Sequence, residues 1–179
     1  MDWVNYANAY DDIWNFPFCC GAVDGKHVIM QQPAKSGSLF FNYKVNETNL
    51  HIHCSCTIPF QFAHVQLTII DYFVFQQTNS IVLLAVVDAS YKFIVVDIGQ
   101  YGSSADGGVW MHSNIGQKLN KDKTVLPGYS TIPETNISLP HVFVGDEAFQ
   151  LCPNFMRPYP ADGLTFSQRI FNYRLSRAR

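Results

Sequence analysis

Two kinds of metal chemistry can be read from the side chains of this sequence. One is a soft site: His51, His53, Cys54 and Cys56 fall within the six residues HIHCSC. In a strand, the members of each pair would share one face. Imidazole and thiolate ligands suit zinc. The other is a hard site built on two carboxylates: Asp24, flanked by small residues in CGAVDGKHVIM, and Asp146, at the end of HVFVGD. Carboxylates converging at the edge of a sheet make an oxygen-rich site for a divalent ion such as Mg²⁺. They can do so only if the two segments that carry them are neighbours.

The elements that must position these groups follow from hydrophobic patterning. CGAVDGKHVIM reads as a strand with Asp24 in its middle, and HVFVGD as a strand ending on Asp146. SIVLLAVV, the turn Asp88-Ala89-Ser90, and YKFIVVDIG make a hairpin of two β-branched runs. Its near-continuous hydrophobicity predicts burial on both faces. GSSADGGVWMHSNIGQKL fits one helix capped by Asp106, with Met111, Ile115 and Leu119 on a common face. Residues 120–140 carry Pro127, Pro133 and Pro140 without periodicity and read as a long loop. Thr165-Phe166-Ser167-Gln168 is a capping box opening a helix whose Phe171, Leu175 and Ala178 share a face. Three strands, a helix, a strand and a helix predict an α/β fold: a mixed sheet with helices on its faces.

Composition bounds the rest. The chain has 179 residues, 47% of them hydrophobic and 15% charged, enough to bury one core and compatible with a single domain over residues 1–179. A formal charge of −2 gives no overall pull toward nucleic acid, so binding to it must rest on a local patch. Arg157, Arg169, Arg174, Arg177 and Arg179, set against Asp162 alone, supply one candidate; they are either DNA contacts or the solvated face of the last helix. No secretory leader is visible, and the longest uncharged stretch is too polar for a membrane span. Five cysteines without a disulfide framework predict a reducing compartment, in which the sequons at Asn46 and Asn136 are accidental.

The blocks WNFPFCCGAVDGKHV, SIVLLAVVDASYKFIVVDIG, YGSSADGGVW, LPHVFVGDEAF, FMRPYP and FNYRLSRAR stand in the order found in the transposase-derived nucleases of the PIF/Harbinger group, which the chain resembles. The resemblance implies an RNase H-like fold with a DDE active site that binds a divalent metal cation, Mg²⁺ or Mn²⁺, and cuts DNA in the nucleus. It implies that Asp24 is the first catalytic, metal-binding carboxylate and Asp146 the second. The third acid of the family, a Glu, follows the SRAR stretch on the same helix. The chain stops at Arg179 before reaching it, so the domain is expected to be incomplete at its C-terminus and impaired in cleavage. With no helix-turn-helix pattern in the chain, resemblance to the animal proteins points to a separate Myb-like DNA-binding partner. The alternative is a catalytically inactive domesticated protein that keeps the fold to bind DNA or protein.

The resemblance also bears on HIHCSC. In the family, the NYK motif leads almost directly into the SIVLLAVVD strand. Here FNYK ends at Lys44 and the matching Gln77-Thr78-Asn79-Ser80 arrives only after residues 45–76, which contain no Lys, Arg or Gly. Val codons begin GT and one Gln codon is CAG, so Val45 at one junction and Phe73-Val74-Phe75-Gln76 at the other are what an unspliced intron read in frame would yield. Residues 45–76 are therefore expected to be an aberrant insertion, with a genuine family insertion as the alternative, and the zinc-like cluster an accident. Single residues have plainer readings too. Asp88 shapes the hairpin turn, Cys19, Cys20 and Cys152 act as buried small hydrophobes, and Lys26 and His27 are placed to touch a phosphate or simply belong to the strand.

Overall fold

The computed structural model describes residues 2–43, 78–122, 124–132 and 135–179. HIHCSC and the expected insertion at 45–76 lie outside the described residues. The chain opens with helix α1 (Trp3–Trp14), capped by the Asp2 carboxylate, which accepts from the Asn5 amide at 3.3 Å. Trp3, Ala7 and Tyr10, three and four apart, form its buried stripe. Among the described residues, five strands make the main sheet: β1 (Cys19–Met30), β2 (Asn79–Val87), β3 (Phe93–Tyr101), β6 (Val142–Val144) and β7 (Phe155–Met156). Their order is β3-β2-β1-β6-β7; β1 pairs antiparallel with β2 and parallel with β6. This is the expected mixed sheet flanked by helices, in keeping with an RNase H-like fold.

Cross-strand register defines two faces. On one, Val23 of β1 lies against Val86 of β2, and Gly25 and His27 follow against Leu84 and Val82. Val23, Val82, Leu84, Val86 and Phe143 join Trp3, Val109, Trp110, Phe149 and Phe155 in one apolar core. Trp110 meets Phe143, Phe149 and Phe155 ring to ring at centroid separations of 5.6, 6.5 and 5.2 Å. The opposite face carries the rows Ala22–Val87–Phe93, Asp24–Ala85–Val96 and Lys26–Leu83–Ile98. Helix α4 (Phe166–Ala178) covers only the β1–β6 side of it, through Leu175 and Ala178 packed with Cys19, Ala22, Val142 and Val144.

Two features tie the hairpin and α1 together. The Tyr10 hydroxyl donates to the Val87 carbonyl and accepts from the Ala22 amide, both at 2.9 Å, closing the end of the β1–β2 ladder. Asp88 accepts from the amides of Ser90 and Lys92 at 2.8 and 2.9 Å, so it shapes the hairpin turn as expected.

Several expectations are corrected. The single helix expected after residue 105 is two, α2 (Asp106–His112) and α3 (Asn114–Lys121). Ser113 breaks it: its hydroxyl donates to the Trp110 carbonyl at 2.7 Å and accepts from the Gly116 amide at 3.1 Å, capping α3. Met111 consequently points outward while Ile115 is buried. Ala105, not Asp106, is the N-cap of α2, and the Asp106 side chain is 5% exposed in its first turn. The hairpin is not buried on both faces, since Phe93 and Ile98 are 68% and 60% exposed; among the described residues β3 is the edge strand. The expected loop after residue 120 contains a small hairpin, β4 (Ser130–Thr131) with β5 (Ser138–Leu139). Cys19 and Cys20 are buried, and burial pushes the Cys20 thiol up to about 12, but Cys152 is exposed.

Candidate active site

One carboxylate stands on β1 and the other just past the end of its parallel neighbour β6. Ala22 of β1 is the register partner of Val144 of β6, and two residues further along each chain stand Asp24 and Asp146. Side chains two apart in a strand share a face. Ala22 and Val144 both belong to the core on the α4 side, so strand parity directs Asp24 to that face, while Asp146 stands two residues past the end of β6, close enough for its charge to act on Asp24. Strand β6 ends at Val144, and the Gly145 amide still donates to the Met156 carbonyl of β7 at 3.0 Å. Beyond it the Asp146 carboxylate accepts from the Ala148 amide at 3.0 Å, an Asx-type turn that orients it. Arg157 steadies that turn from below, donating to the carbonyls of Glu147 and Phe149 at 3.2 Å each.

Asp24 opens into a cleft of about 790 Å³ between the sheet and α4, lined by Ala22, Asp24 and Lys26 of β1, Leu83 and Ala85 of β2, and Ser176 and Arg179. Asp24 is solvent-exposed, yet partial desolvation against the cleft wall holds its carboxyl above the usual carboxylate value. The Arg179 guanidinium and the Gly25 amide pull the other way, and the charges of Asp146 and Asp106 add to the rise. A bound cation would relieve the same repulsion between carboxylates. Among the described residues, however, no group of three or more His, Cys, Asp or Glu side chains is arranged to hold a metal ion. Of the two candidate carboxylates, Asp24 lines this cleft and Asp146 does not.

Other candidates separate. Lys26 shares the cleft with Asp24, one register row further from Ala22. His27 points to the opposite face, 4% exposed with Nδ1 2.9 Å from the Ser80 hydroxyl, which removes it from any phosphate in the cleft. Of the arginines, Arg179 lies in the cleft, Arg157 braces the Asp146 turn, and Arg177 lies over the Trp14 ring at 5.6 Å. Sequence reasoning missed the close packing around two glycines. A β-carbon on Gly25 would stand 2.5 Å from Asp106 Oδ1, and one on Gly107 would stand 2.6 Å from the Ala148 carbonyl oxygen. Gly25 beside Asp24 and Gly107 beside Asp106 mark these positions in the sequence, but neither names its partner.

Comparison with known proteins identifies the relatives of this arrangement. The profile of a family described as DDE superfamily endonuclease matches residues 54–179, most of the chain; Asp146 lies inside the matched span and Asp24 outside it. "Protein ALP1-like" of Arabidopsis thaliana is 28% identical over 169 residues, covering 94% of this chain and 34% of that protein. The chain thus spans about a third of the length of the curated relative it matches. No solved structure matches it. Among the described residues, no helix is long and apolar enough to cross a membrane.

Proposed function

Because this chain belongs to the DDE superfamily endonucleases, we propose that Asp24 and Asp146 are the carboxylates through which it holds a divalent cation, Mg²⁺ or Mn²⁺, against a DNA phosphodiester. The protein is then a Harbinger-type transposase nuclease domain or its domesticated descendant, working in the nucleus beside a separate Myb-like DNA-binding partner. The observation that carries the reading is the register: Ala22 opposite Val144, with an aspartate two residues beyond each. Carboxylates on β1 and just past the end of β6 offer the hard oxygen donors that Mg²⁺ and Mn²⁺ prefer. When bound, such an ion supplies Lewis-acid activation of water and stabilisation of the leaving oxygen. The residues of the chain itself bind and orient. Asp24 and Asp146 hold the ion, the Ala148 amide fixes the Asp146 carboxylate, and Lys26 and Arg179 give the cleft positive charge for a phosphate.

A pair of carboxylates leaves the mutual repulsion of two ions poorly compensated, so cleavage by this chain is expected to be weak or absent while single-ion binding survives. The second reading is a silent nuclease fold that binds DNA or protein. Calorimetric titration with Mn²⁺, together with incubation on duplex DNA, tests the assignment. Mn²⁺ binding abolished by Asp24→Ala and by Asp146→Ala is the expected result. Robust cleavage unaffected by either substitution would overturn it.

Residues 45–76 are, in the same reading, an aberrant insertion. Support comes from the edges of the described chain: the Asn42 amide donates to the Thr78 carbonyl at 2.9 Å, and Phe41 bridges to Asn79. The chain departs and returns at one place. The matched family span begins at residue 54, within this segment, so the insertion reading rests on the junction geometry and the sequence blocks. A transcript joining the codons of Lys44 and Gln77 is expected; native peptides that read through Lys44-Val45 would refute it.

A further inference from the structure

The first turn of α2 touches the backbone beside both proposed acids. Asp106 lies against β1 at Gly25, the residue after Asp24, with its Oδ1 where a side chain at position 25 would have to begin. Gly107 lies against Ala148, its missing β-carbon leaving just enough space for the Ala148 carbonyl oxygen. Ala148 is not a passive neighbour, because its amide is the donor that fixes the Asp146 carboxylate at 3.0 Å. Neither Gly25 nor Gly107 has the positive φ that would demand glycine for its backbone conformation. Both are glycine because something stands where a β-carbon would go. Gly108, next along α2, has nothing within 4 Å of its β-carbon position.

We infer that the Asp106-Gly107 start of α2 is a positioning element, a spacer wedged between the Gly25 and Ala148 backbones that sets the separation and orientation of Asp24 and Asp146. It works from the sealed side of the sheet, where Val109 and Trp110 anchor α2 in the core, and its effect emerges on the cleft side. The inference rests on reading Asp24 and Asp146 as a pair. It adds a mechanical link: pushing Ala148 away from Gly107 moves the hydrogen-bond donor of Asp146, while pushing Asp106 away from Gly25 moves the strand that carries Asp24. A contact with a backbone carbonyl cannot be relieved by a change of rotamer, so Gly107 is the more sensitive of the two positions.

The test compares Gly107→Ala with Gly108→Ala, adjacent positions in one helix that gain the same helical propensity. Separation is read without metal. In a background with Cys54, Cys56 and Cys152 changed to Ser, the pair Asp24→Cys and Asp146→Cys is oxidised with a dipyridyl disulfide. A disulfide closes where the two Cα atoms lie within about 7 Å, and the charge of Asp146 is felt at Asp24. Gly107→Ala is expected to slow cross-linking at least fivefold and Gly108→Ala to leave it unchanged. Leu126→Ala, a large-to-small change in the buried core that leaves Gly25, Gly107 and Ala148 intact, should lower the melting temperature without altering the rate relative to folded protein. Gly25→Ala should also slow it, and Gly25→Ala with Asp106→Ala should recover much of the loss. In the aspartate-bearing chain, Gly107→Ala should weaken Mn²⁺ binding about tenfold.

Equal cross-linking rates for Gly107→Ala and Gly108→Ala, or slowing by Leu126→Ala to the same degree, would overturn the inference. So would the absence of any cross-link in the parent pair. Cross-linking that responds to Gly107→Ala in a protein that binds no Mn²⁺ would uphold the positioning role and overturn the metal reading, so the two ideas fail separately.

Discussion

The two faces of the sheet are built from the same strands and could hardly differ more. Alternate residues of β2 make the contrast: Val82, Leu84 and Val86 are sealed beneath α2 and an aromatic cluster, whereas Leu83 and Val87 line an open cleft. Along β3 the cleft-side residues Phe93 and Ile98 are mostly exposed. One face supplies cohesion and the other supplies access. Asp24 stands on the second, next to the strip that α4 does cover, where a carboxylate can be partly desolvated and still be reached from solvent. Support for both proposed acids, in Asp106 and Gly107, comes through the sheet from the first.

Substitutions can break or sharpen this contrast. The largest effect is expected from Phe143→Ala on the sealed face, where loss of a fully buried ring in contact with Trp3 and Trp110 should cost about 3–5 kcal/mol in urea unfolding. A cost below about 1 kcal/mol would mean that this face is not the principal core. Next is Leu175→Ala, at the one strip of the cleft side that is covered. Leu175 is buried with Cys19, Ala22 and Val144, so a loss of about 2–4 kcal/mol is expected in the same measurement.

A smaller effect with a distinctive pH signature is expected at Asp24. Its carboxyl holds its proton more tightly in the folded chain than at the ordinary value of 3.8. The stability linked to that proton is complete below the unfolded-state value and is lost as the pH rises through the raised folded value. Ionised Asp24 therefore subtracts from stability at neutral pH. Asp24→Asn should raise the melting temperature by about 1–2 °C at pH 7, a figure kept small because the carboxylate is partly solvated. The gain should vanish on acidification below 3.8. If Asp24→Asn lowers the melting temperature at neutral pH, the carboxylate is stabilising and the crowded-cleft account is wrong. The smallest effect is expected from Ile98→Ser on the open face, within about 0.5 kcal/mol; a large loss there would show that the face is covered in solution.

Features legible in the sequence were those with local causes. Strands β1, β2, β3 and β6 announced themselves through β-branched runs, the Asp88 turn through its Asp-Ala-Ser, and α4 through the Thr165–Gln168 capping box, which forms with both of its hydrogen bonds. Six blocks in register pointed to the family that the comparison then identified. Other features depend on what a segment meets. Helix α1 carried a cue, Asp2 followed by an apolar stripe at Trp3, Ala7 and Tyr10, that was overlooked. Ser113 breaks a pattern that is helically periodic across it, because the first and second halves bury different sides. Asp106 has the residue type of a cap, yet it is buried against Gly25, a contact between positions far apart in sequence that no local pattern encodes. The adjacency of β1 and β6, on which the carboxylate pair depends, could be stated as a condition from the sequence but not read from it.

The Tyr10 hydroxyl, bonded at once to Ala22 and Val87, has a consequence for how this molecule breathes. It fastens one end of the β1–β2 ladder, the end nearest the proposed acids, to α1, while the Met30–Asn79 end is held by short backbone contacts of Phe40, Phe41 and Asn42 with Ser80, Asn79 and Thr78 at the edge of the described residues. Local opening of the pair is therefore directional, like a zipper with its slider fixed at Ala22. In hydrogen–deuterium exchange the amides near Met30 and Asn79 should trade protons for deuterons long before those at Ala22 and Val23. The Asp24 stretch thus belongs to the slow-exchanging part of the strand, and the segment that holds the carboxylate is among the last to let go when the chain unfolds.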